Sequence, residues 1–360
     1  MDKSTILQAL RGVAYPGLSR DIVSFGLVKK AEIEADGAVS VEIAVTTSKT
    51  EIPEQLQTAA IAAIARLGVP EEKIYVDVHV SVPAAPAGTG AANNELPKPE
   101  KIPGVRRLIA VASGKGGVGK STVAANLAAA LAQVVEEDGI APAAGSIGIM
   151  DCDIYGPSIP MMLGAQDQPS IRGEKIIPPE VHGLKVMSMG LLLDEDSPII
   201  WRGPVVARAI RQFVNDVDWG ALEALVIDLP PGTGDAQITL VQTLALDGAV
   251  IVTTPQDVAV SVAQRGARLF GKVDVPLVGV IENMSYFENP ANGEREYIFG
   301  KGGGAKTAAM LGTELLGEIP VSADIRAGGD AGTPIVVAAP QSVPAQIFRS
   351  AAREILSRFG

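Results

Sequence analysis

Apolar residues follow two rhythms along the chain. In the first stretch Val39, Val41, Ile43 and Val45 alternate with other residues just after Asp36-Gly37, which predicts a turn and a half-buried strand. Leu56, Ala60, Ile64 and Leu67 recur at helical spacing, and Ile74, Val76, Val78, Val80 and Val82 alternate again. The expected order is helix, hairpin, helix, strand, a small α/β module. His79 falls on the polar side of the last strand and reads as an ordinary solvated residue.

The second rhythm is a series of short apolar runs, each leading into a longer segment, at 108–112, 147–150, 184–187, 224–227, 249–252, 277–281 and 315–319. Runs that are apolar on both faces and separated by helical stretches predict a mostly parallel, doubly wound sheet with helices on both sides. Ligands of such α/β folds sit at the carboxyl ends of the strands. Between the two rhythms, residues 84–103 are rich in Ala, Pro, Gly and Asn without apolar periodicity, the composition of a linker. The expected organisation is therefore a small domain over 1–83, a linker over 84–103 and an α/β domain over 104–360.

Composition narrows the classes. No apolar run reaches the roughly 18 residues of a membrane helix, and Met1-Asp2-Lys3-Ser4 lacks the basic and apolar regions of a secretory leader. Cys152 is the sole cysteine, so an intramolecular disulfide is excluded and a cytoplasmic location is expected. A formal charge of −11 argues against sequence-blind nucleic-acid binding, which Lys and Arg must supply.

The sharpest chemistry is Gly114-Lys115-Gly116-Gly117-Val118-Gly119-Lys120-Ser121, followed by Thr122, at the end of the 108–112 run and the start of a helix carrying Val123, Leu127 and Leu131. Glycines let backbone N–H groups turn toward phosphate oxygens, and the helix N-terminus adds its dipole. Lys120 is expected to reach the outer phosphates and the Ser121 hydroxyl to hold Mg²⁺. The same stretch also spells G-x-G-x-x-G, but a dinucleotide site has no use for Lys-Ser and needs an acid about 20 residues on, whereas the acids here come later. Lys115 is poorly placed to join Lys120 on the phosphates of its own site; it suits the nucleotide of a facing subunit, in the manner of an arginine finger.

Three acids complete the reading. Asp228 ends the 224–227 run and is the expected second anchor of Mg²⁺, leading into Leu229-Pro230-Pro231-Gly232-Thr233-Gly234-Asp235, a loop suited to sensing a γ-phosphate. Asp151 and Asp153 flank Cys152; Asp151 is expected at the metal and Asp153 at the attacking water, against the plainer alternative of two surface acids. Cys152 reads as a small core residue, since an electronegative setting disfavours its thiolate. Gly300-Lys301-Gly302-Gly303-Gly304-Ala305-Lys306-Thr307 imitates a second phosphate loop but has Ala305 where the last glycine belongs, and is expected to be a loop opening a helix.

Taken together these segments resemble the Mrp/ApbC group of ATP-binding iron–sulfur cluster carriers, deviant Walker A ATPases grouped with MinD, ParA and the nitrogenase iron protein. The resemblance runs nearly end to end. Asp153-Ile154-Tyr155-Gly156-Pro157-Ser158, Trp201-Arg202-Gly203-Pro204 and Glu282-Asn283-Met284-Ser285 separate the group from MinD and ParA, and Thr254-Pro255-Gln256-Asp257 belongs to it as well. The first 83 residues are similar to the DUF59-type domain often fused to it. The resemblance implies ATP hydrolysis at a homodimer interface with Lys115 acting across it, and an adenine contact by Asn283 with Pro320 and Asp324 nearby. It also implies apo iron–sulfur client proteins or other assembly factors as partners.

One departure stands out. The group usually follows Asn-Met-Ser with Cys-x-x-Cys, and two such pairs hold a bridging [4Fe–4S] cluster; here Asn289 and Asn292 occupy those positions. A four-cysteine cluster needs four thiolates, and a dimer of this chain supplies only two, so the isolated protein is expected to hold no stable cluster. Two other classes remain as alternatives. One is a positioning or partition ATPase using the amphipathic C-terminal segment (Ile347, Phe348, Ala351, Ile355, Leu356, Phe359) at a membrane surface, although such a segment is more often the last helix packed on the sheet. The other, a nicotinamide-dependent oxidoreductase, rests on G-x-G-x-x-G alone.

Overall fold

A computed structural model describes residues 3–13, 22–23, 27–33, 38–46, 51–81, 99–141, 145–153, 156–191, 203–232 and 234–359. The Asp36-Gly37 turn, Val82, positions 84–98 of the expected linker, and Ile154, Tyr155, Trp201, Arg202 and Thr233 of the motifs lie outside them. The chain divides into two units, Met1–Asn94 and Glu95–Gly360.

The first unit runs α1 (Lys3–Leu10), β1 (Val28–Ile33), β2 (Val39–Thr46), α2 (Glu51–Ala65) and β3 (Ile74–Ser81). Its sheet has the order β1-β2-β3, antiparallel then parallel. Period-two alternation sends Val39, Val41, Ile43 and Val45 inward against Ile6, Leu10, Leu56, Ala60 and Ile64. Burial fades along β3, from Ile74 and Val76 through half-buried Val78 to exposed Val80. Leu67, grouped with the helix by its spacing, falls past the end of α2 in a turn whose Gly68 has φ 88°, and is exposed.

In the second unit the elements are β4 (Leu108–Ser113), α3 (Lys120–Glu137), β5 (Ile147–Asp151), α4 (Ile159–Leu163), β6 (Ser170–Arg172), β7 (Lys175–Ile177), β8 (Glu180–Val181) and β9 (Leu184–Ser188). Then follow α5 (Gly203–Asn215), β10 (Ala224–Asp228), α6 (Asp235–Thr243), β11 (Gly248–Thr253), α7 (Asp257–Gly271), β12 (Leu277–Glu282), β13 (Phe287–Glu288), β14 (Arg295–Glu296), α8 (Gly303–Leu311), β15 (Leu315–Glu318), α9 (Ala323–Asp330), α10 (Ile335–Ala338) and α11 (Val343–Ser357). Among the described residues eight strands form one sheet in the order β15-β12-β11-β4-β10-β5-β9-β8, parallel except for β8. This is a P-loop α/β fold with a mostly parallel, doubly wound sheet.

Every apolar run of the second rhythm becomes a strand of this sheet. The reason is visible in β4: Ile109 and Val111 enter the core under α3 and α11, while Leu108, Ala110 and Ala112 enter the one under α5, α6 and α7. A strand buried on both faces cannot afford polar alternation. After β5 and β9 on one side the chain returns through β10 to lie beside β4, then continues as β11, β12 and β15 on the other. That reversal of direction opens a crevice above the carboxyl end of β4.

Positions 99–103, which composition places in the linker, are laid on the second unit. Glu100 exchanges backbone hydrogen bonds with Thr243 and Ala245, and Ile102 is buried in the core. The amphipathic C-terminal segment is α11, and its apolar face is already occupied: Phe348, Ala351, Ile355 and Leu356 are buried against α3 and the sheet. Phe359 packs there too, close enough to Gly248 that a Cβ on that glycine would lie 3.0 Å from its ring. Arg349 and Arg353 pair with Glu137 and Arg358 with Glu314. The surface-association reading loses its membrane-facing helix, since the face it needs is core. No helix among the described residues is long and apolar enough to cross a membrane.

Candidate functional site

The loop between β4 and α3 turns on two left-handed glycines, Gly117 at φ 80° and Gly119 at φ 77°, a conformation open to glycine and costly for other residues. Gly119 caps α3 without any side-chain hydrogen bond, leaving first-turn N–H groups to face the crevice. Gly114 is required for a different reason: a Cβ there would sit 2.4 Å from the Val262 carbonyl, so α7 presses directly on the loop. Gly116 and Gly117 look into open space, as a phosphate cradle must.

Three side chains converge beneath the loop. Lys120 donates to Asp228 Oδ1 at 2.5 Å, Ser121 Oγ donates to Asp228 Oδ2 at 2.6 Å, and Lys120 Nζ lies 3.2 Å from Ser121 Oγ. Asp228 has no exposed surface because it ends β10 between β4 and β5. Burial lifts its pKa, and the Lys120 charge with the two hydrogen bonds oppose that lift. The loop, Lys115, Asp153, Ser158, Met162 and Pro231 line a pocket of about 220 Å³ over this cluster.

The acids of β5 divide their labour differently from expectation. Asp153 is half-buried and lines the phosphate pocket. Asp151, expected at the metal, is fully buried and committed to protein donors: Oδ1 accepts the Asp153 amide at 3.0 Å, and Oδ2 accepts the Ile159 amide at 3.2 Å and the Ser188 hydroxyl at 3.0 Å. It ties both ends of the 152–158 loop to the sheet. Burial and the neighbouring Asp228 raise its pKa to about 7. Cys152 is buried in the core between these acids; burial, then Asp151 and Asp228, push its thiol well above the ordinary range.

Beside the phosphate pocket lies a cleft of about 410 Å³, the size of a small-ligand site. Asn283 and Pro320 line it, with Gly119 and Thr122 shared between the two pockets. Asn283 Nδ2 donates to the Val118 carbonyl at 2.9 Å, and a Cβ on Gly119 would fall 2.2 Å from that nitrogen. Asp324 instead lines a neighbouring depression with Phe287, Glu288 and Pro290. Ser322 caps α9 by accepting the Asp324 amide, which fixes Asp324 in the first helical turn. Met161, Met162, Met284, Phe299 and Arg326 also line the cleft; sequence reasoning missed them, because α4, α9, the 297–302 segment and the turn after β12 meet only in three dimensions.

Residues 104–356 match the family described as the NUBPL iron-transfer P-loop NTPase, well over half of the chain. The chain belongs to that family. Residues 3–78 match a second family, described as iron-sulfur cluster assembly protein. An iron-sulfur cluster carrier protein from Synechocystis is 42% identical over 98% of this chain and 96% of its own length. The iron-sulfur cluster transfer protein NUBPL of Mus musculus is 44% identical over 73% of this chain and 81% of its own. Among solved structures, a nucleotide-binding protein from Archaeoglobus fulgidus in complex with ADP superposes with TM-score 0.55 at 39% identity, covering 63% of this chain and 87% of that one. The cell division ATPase MinD of Pyrococcus furiosus shares the fold at 21% identity and TM-score 0.51, over 71% and 99% of the two chains.

Three features particularise this iron-transfer P-loop NTPase. Lys115 donates at 3.0 Å to Gln256 Oε1, on the residue that precedes α7. The segment after Asn-Met-Ser forms a hairpin, β13 with β14, whose tip is closed by the two asparagines. Asn289 Oδ1 accepts the Ala291 amide at 3.0 Å, and Asn292 Oδ1 accepts the Glu294 amide at 3.1 Å. Side-chain amides here do the work of Asx turns. The imitation phosphate loop opens α8 behind left-handed Gly302, and the Gly304 amide, where a phosphate would be bound, donates to the Glu282 carboxylate.

Proposed function

We propose that this NTPase binds Mg-ATP with its phosphates in the 114–122 cradle and its base in the adjoining cleft, hydrolyses it as a two-fold homodimer, and uses the cycle to deliver iron–sulfur clusters to apo client proteins. The observation that carries the nucleotide reading is the Lys120–Asp228–Ser121 cluster under a loop of open glycines. A hydroxyl and a carboxylate are hard oxygen donors that suit Mg²⁺, which takes few protein ligands where substrate phosphates supply others. When bound, Mg²⁺ would neutralise charge on the outer phosphates.

This chain's own groups then have distinct tasks. Lys120 exchanges Asp228 for phosphate oxygens, leaving Asp228 and Ser121 to the metal. Asn283 and Pro320 orient the base. Asp153, at the rim of the phosphate pocket, positions the attacking water. Lys115 leaves Gln256 and crosses to the partner's nucleotide, where it stabilises charge in the transition state. The cargo part of the proposal draws on the family and on relatives named for cluster carrying or transfer. With Asn289 and Asn292 closing the hairpin, the cluster ligands are supplied chiefly by partners' cysteines.

Calorimetry and single-turnover hydrolysis test the assignment together. Lys120→Ala is expected to abolish Mg-ATP binding, whereas Lys115→Ala keeps binding and loses about a thousandfold in hydrolysis, as removal of a finger residue does. Equal hydrolysis by wild type and Lys115→Ala would refute the crossing.

A further inference from the structure

Besides Asp151, one fully buried carboxylate has no part in the proposed hydrolysis. Glu282 ends β12 with no exposed surface. Its Oε1 accepts the Ser285 hydroxyl at 2.5 Å and its Oε2 accepts the Gly304 amide at the start of α8. Among the described residues no Lys or Arg forms an ion pair with it; its charge is held by two hydrogen bonds and the N-terminal end of a helix, where negative charge is favoured. Gly304 is a glycine for this contact, since a Cβ would lie 2.6 Å from Glu282 Cβ and 2.9 Å from Leu315.

The two donors are the two feet of one excursion of the chain. Residues 285–304 leave the sheet at Ser285, form the hairpin, pass Phe299 and return at Gly304. Both feet stand on a single carboxylate. The residues that follow Glu282 face the nucleotide cleft: Asn283 reaches the Val118 carbonyl of the phosphate loop, and Met284, in left-handed backbone at φ 57°, lines the cleft. Phe299 lines the same cleft from within the excursion. The base cleft and the hairpin are thus joined through one three-residue stretch and the carboxylate beside it.

We propose that Glu282 is a positioning residue, a clasp that makes the 285–304 excursion respond to occupancy of the nucleotide cleft. Nucleotide entering against Asn283, Met284 and Phe299 stiffens the strand end and one side of the excursion; the clasp passes that restraint to both feet and so to the hairpin. The hairpin becomes the part of the surface whose state reports the nucleotide to a bound client. This rests on the nucleotide reading of the cleft.

Hydrogen exchange of the full chain, with and without Mg-ADP, read together with calorimetry of Mg-ADP binding, tests it. Wild type is expected to bind Mg-ADP and to exchange its 285–304 amides about tenfold more slowly when loaded, the size of one charge-assisted hydrogen bond. Glu282→Ala is expected to bind Mg-ADP and lose that slowing. Glu282→Gln is expected to keep it, because an amide can accept from Gly304 and donate to the Ser285 oxygen. Ser285→Ala, a milder change should Glu282→Ala not fold, is expected to lose the slowing at the hairpin while the amides around Gly304 keep it. A purely structural role would raise exchange equally in loaded and unloaded protein and leave the ratio untouched, which would overturn the clasp. Binding by wild type without any slowing would also overturn it, while absence of calorimetric binding would overturn the nucleotide reading itself.

Discussion

Asp151, the last residue of β5, and Cys152 directly after it are both governed chiefly by burial. With a pKa of about 7 in the folded protein against an ordinary 3.8, Asp151 keeps a proton through a window in which the unfolded chain has lost it. Stability associated with this group is therefore fully present below the unfolded value and falls as pH rises from about 4 through about 7. Denaturant midpoints for the nucleotide-free protein should decline over that window, and Asp151→Asn should flatten the decline; an unchanged slope in the variant would assign it to other groups. Cys152, with its thiol pushed up by burial and two acids, should resist iodoacetamide in the native protein and react fully in denaturant. Rapid native alkylation would place it at the surface. Sequence made the phosphate loop legible because glycine, lysine and serine act there within eight consecutive positions. It misassigned Asp151 because the partners that occupy that carboxylate, Ser188 and the Ile159 amide, come from β9 and the start of α4.

The parallel strands could be read because burial on both faces leaves a continuous apolar run, as in β4, β5, β10 and β11, all buried throughout. The antiparallel β8 and the β6–β7 and β13–β14 hairpins went unread; strands of two or three residues, mostly exposed, carry no period. The C-terminal helix was favoured in sequence as the last helix packed on the sheet but an amphipathic face also suits a membrane, and its packing on α3 and against Gly248 decides for the core. Phe348, without exposed surface, should on truncation to Ala cost about 3–5 kcal/mol, seen as a lower denaturation midpoint. A change below about 0.5 kcal/mol, within the range of surface substitutions, would mean that α11 is not core.

For the whole molecule, the family supplies the class of work, an iron-transfer P-loop NTPase, and this chain's own residues set its form. Lys115 rests on Gln256 within its own protomer, which gives the proposed dimer a defined starting state: if Lys115 crosses as proposed, closure would exchange that contact for the partner's nucleotide. Cargo handling takes its form from the single cysteine. A dimer brings two thiols, both Cys152 and both buried, while the hairpin tip spends its two asparagines on closing its own turn. Under the proposed function, an ATP-driven delivery cycle is separate from cluster ligation, which would fall to partners. Anaerobic reconstitution with iron and sulfide, with iron counted per dimer in wild type and Cys152→Ser, tests this most directly. Near-zero iron in both is the predicted result. About four iron atoms per dimer in wild type, as one [4Fe–4S] cluster requires, and their loss in the variant, would contradict it and make Cys152 a ligand.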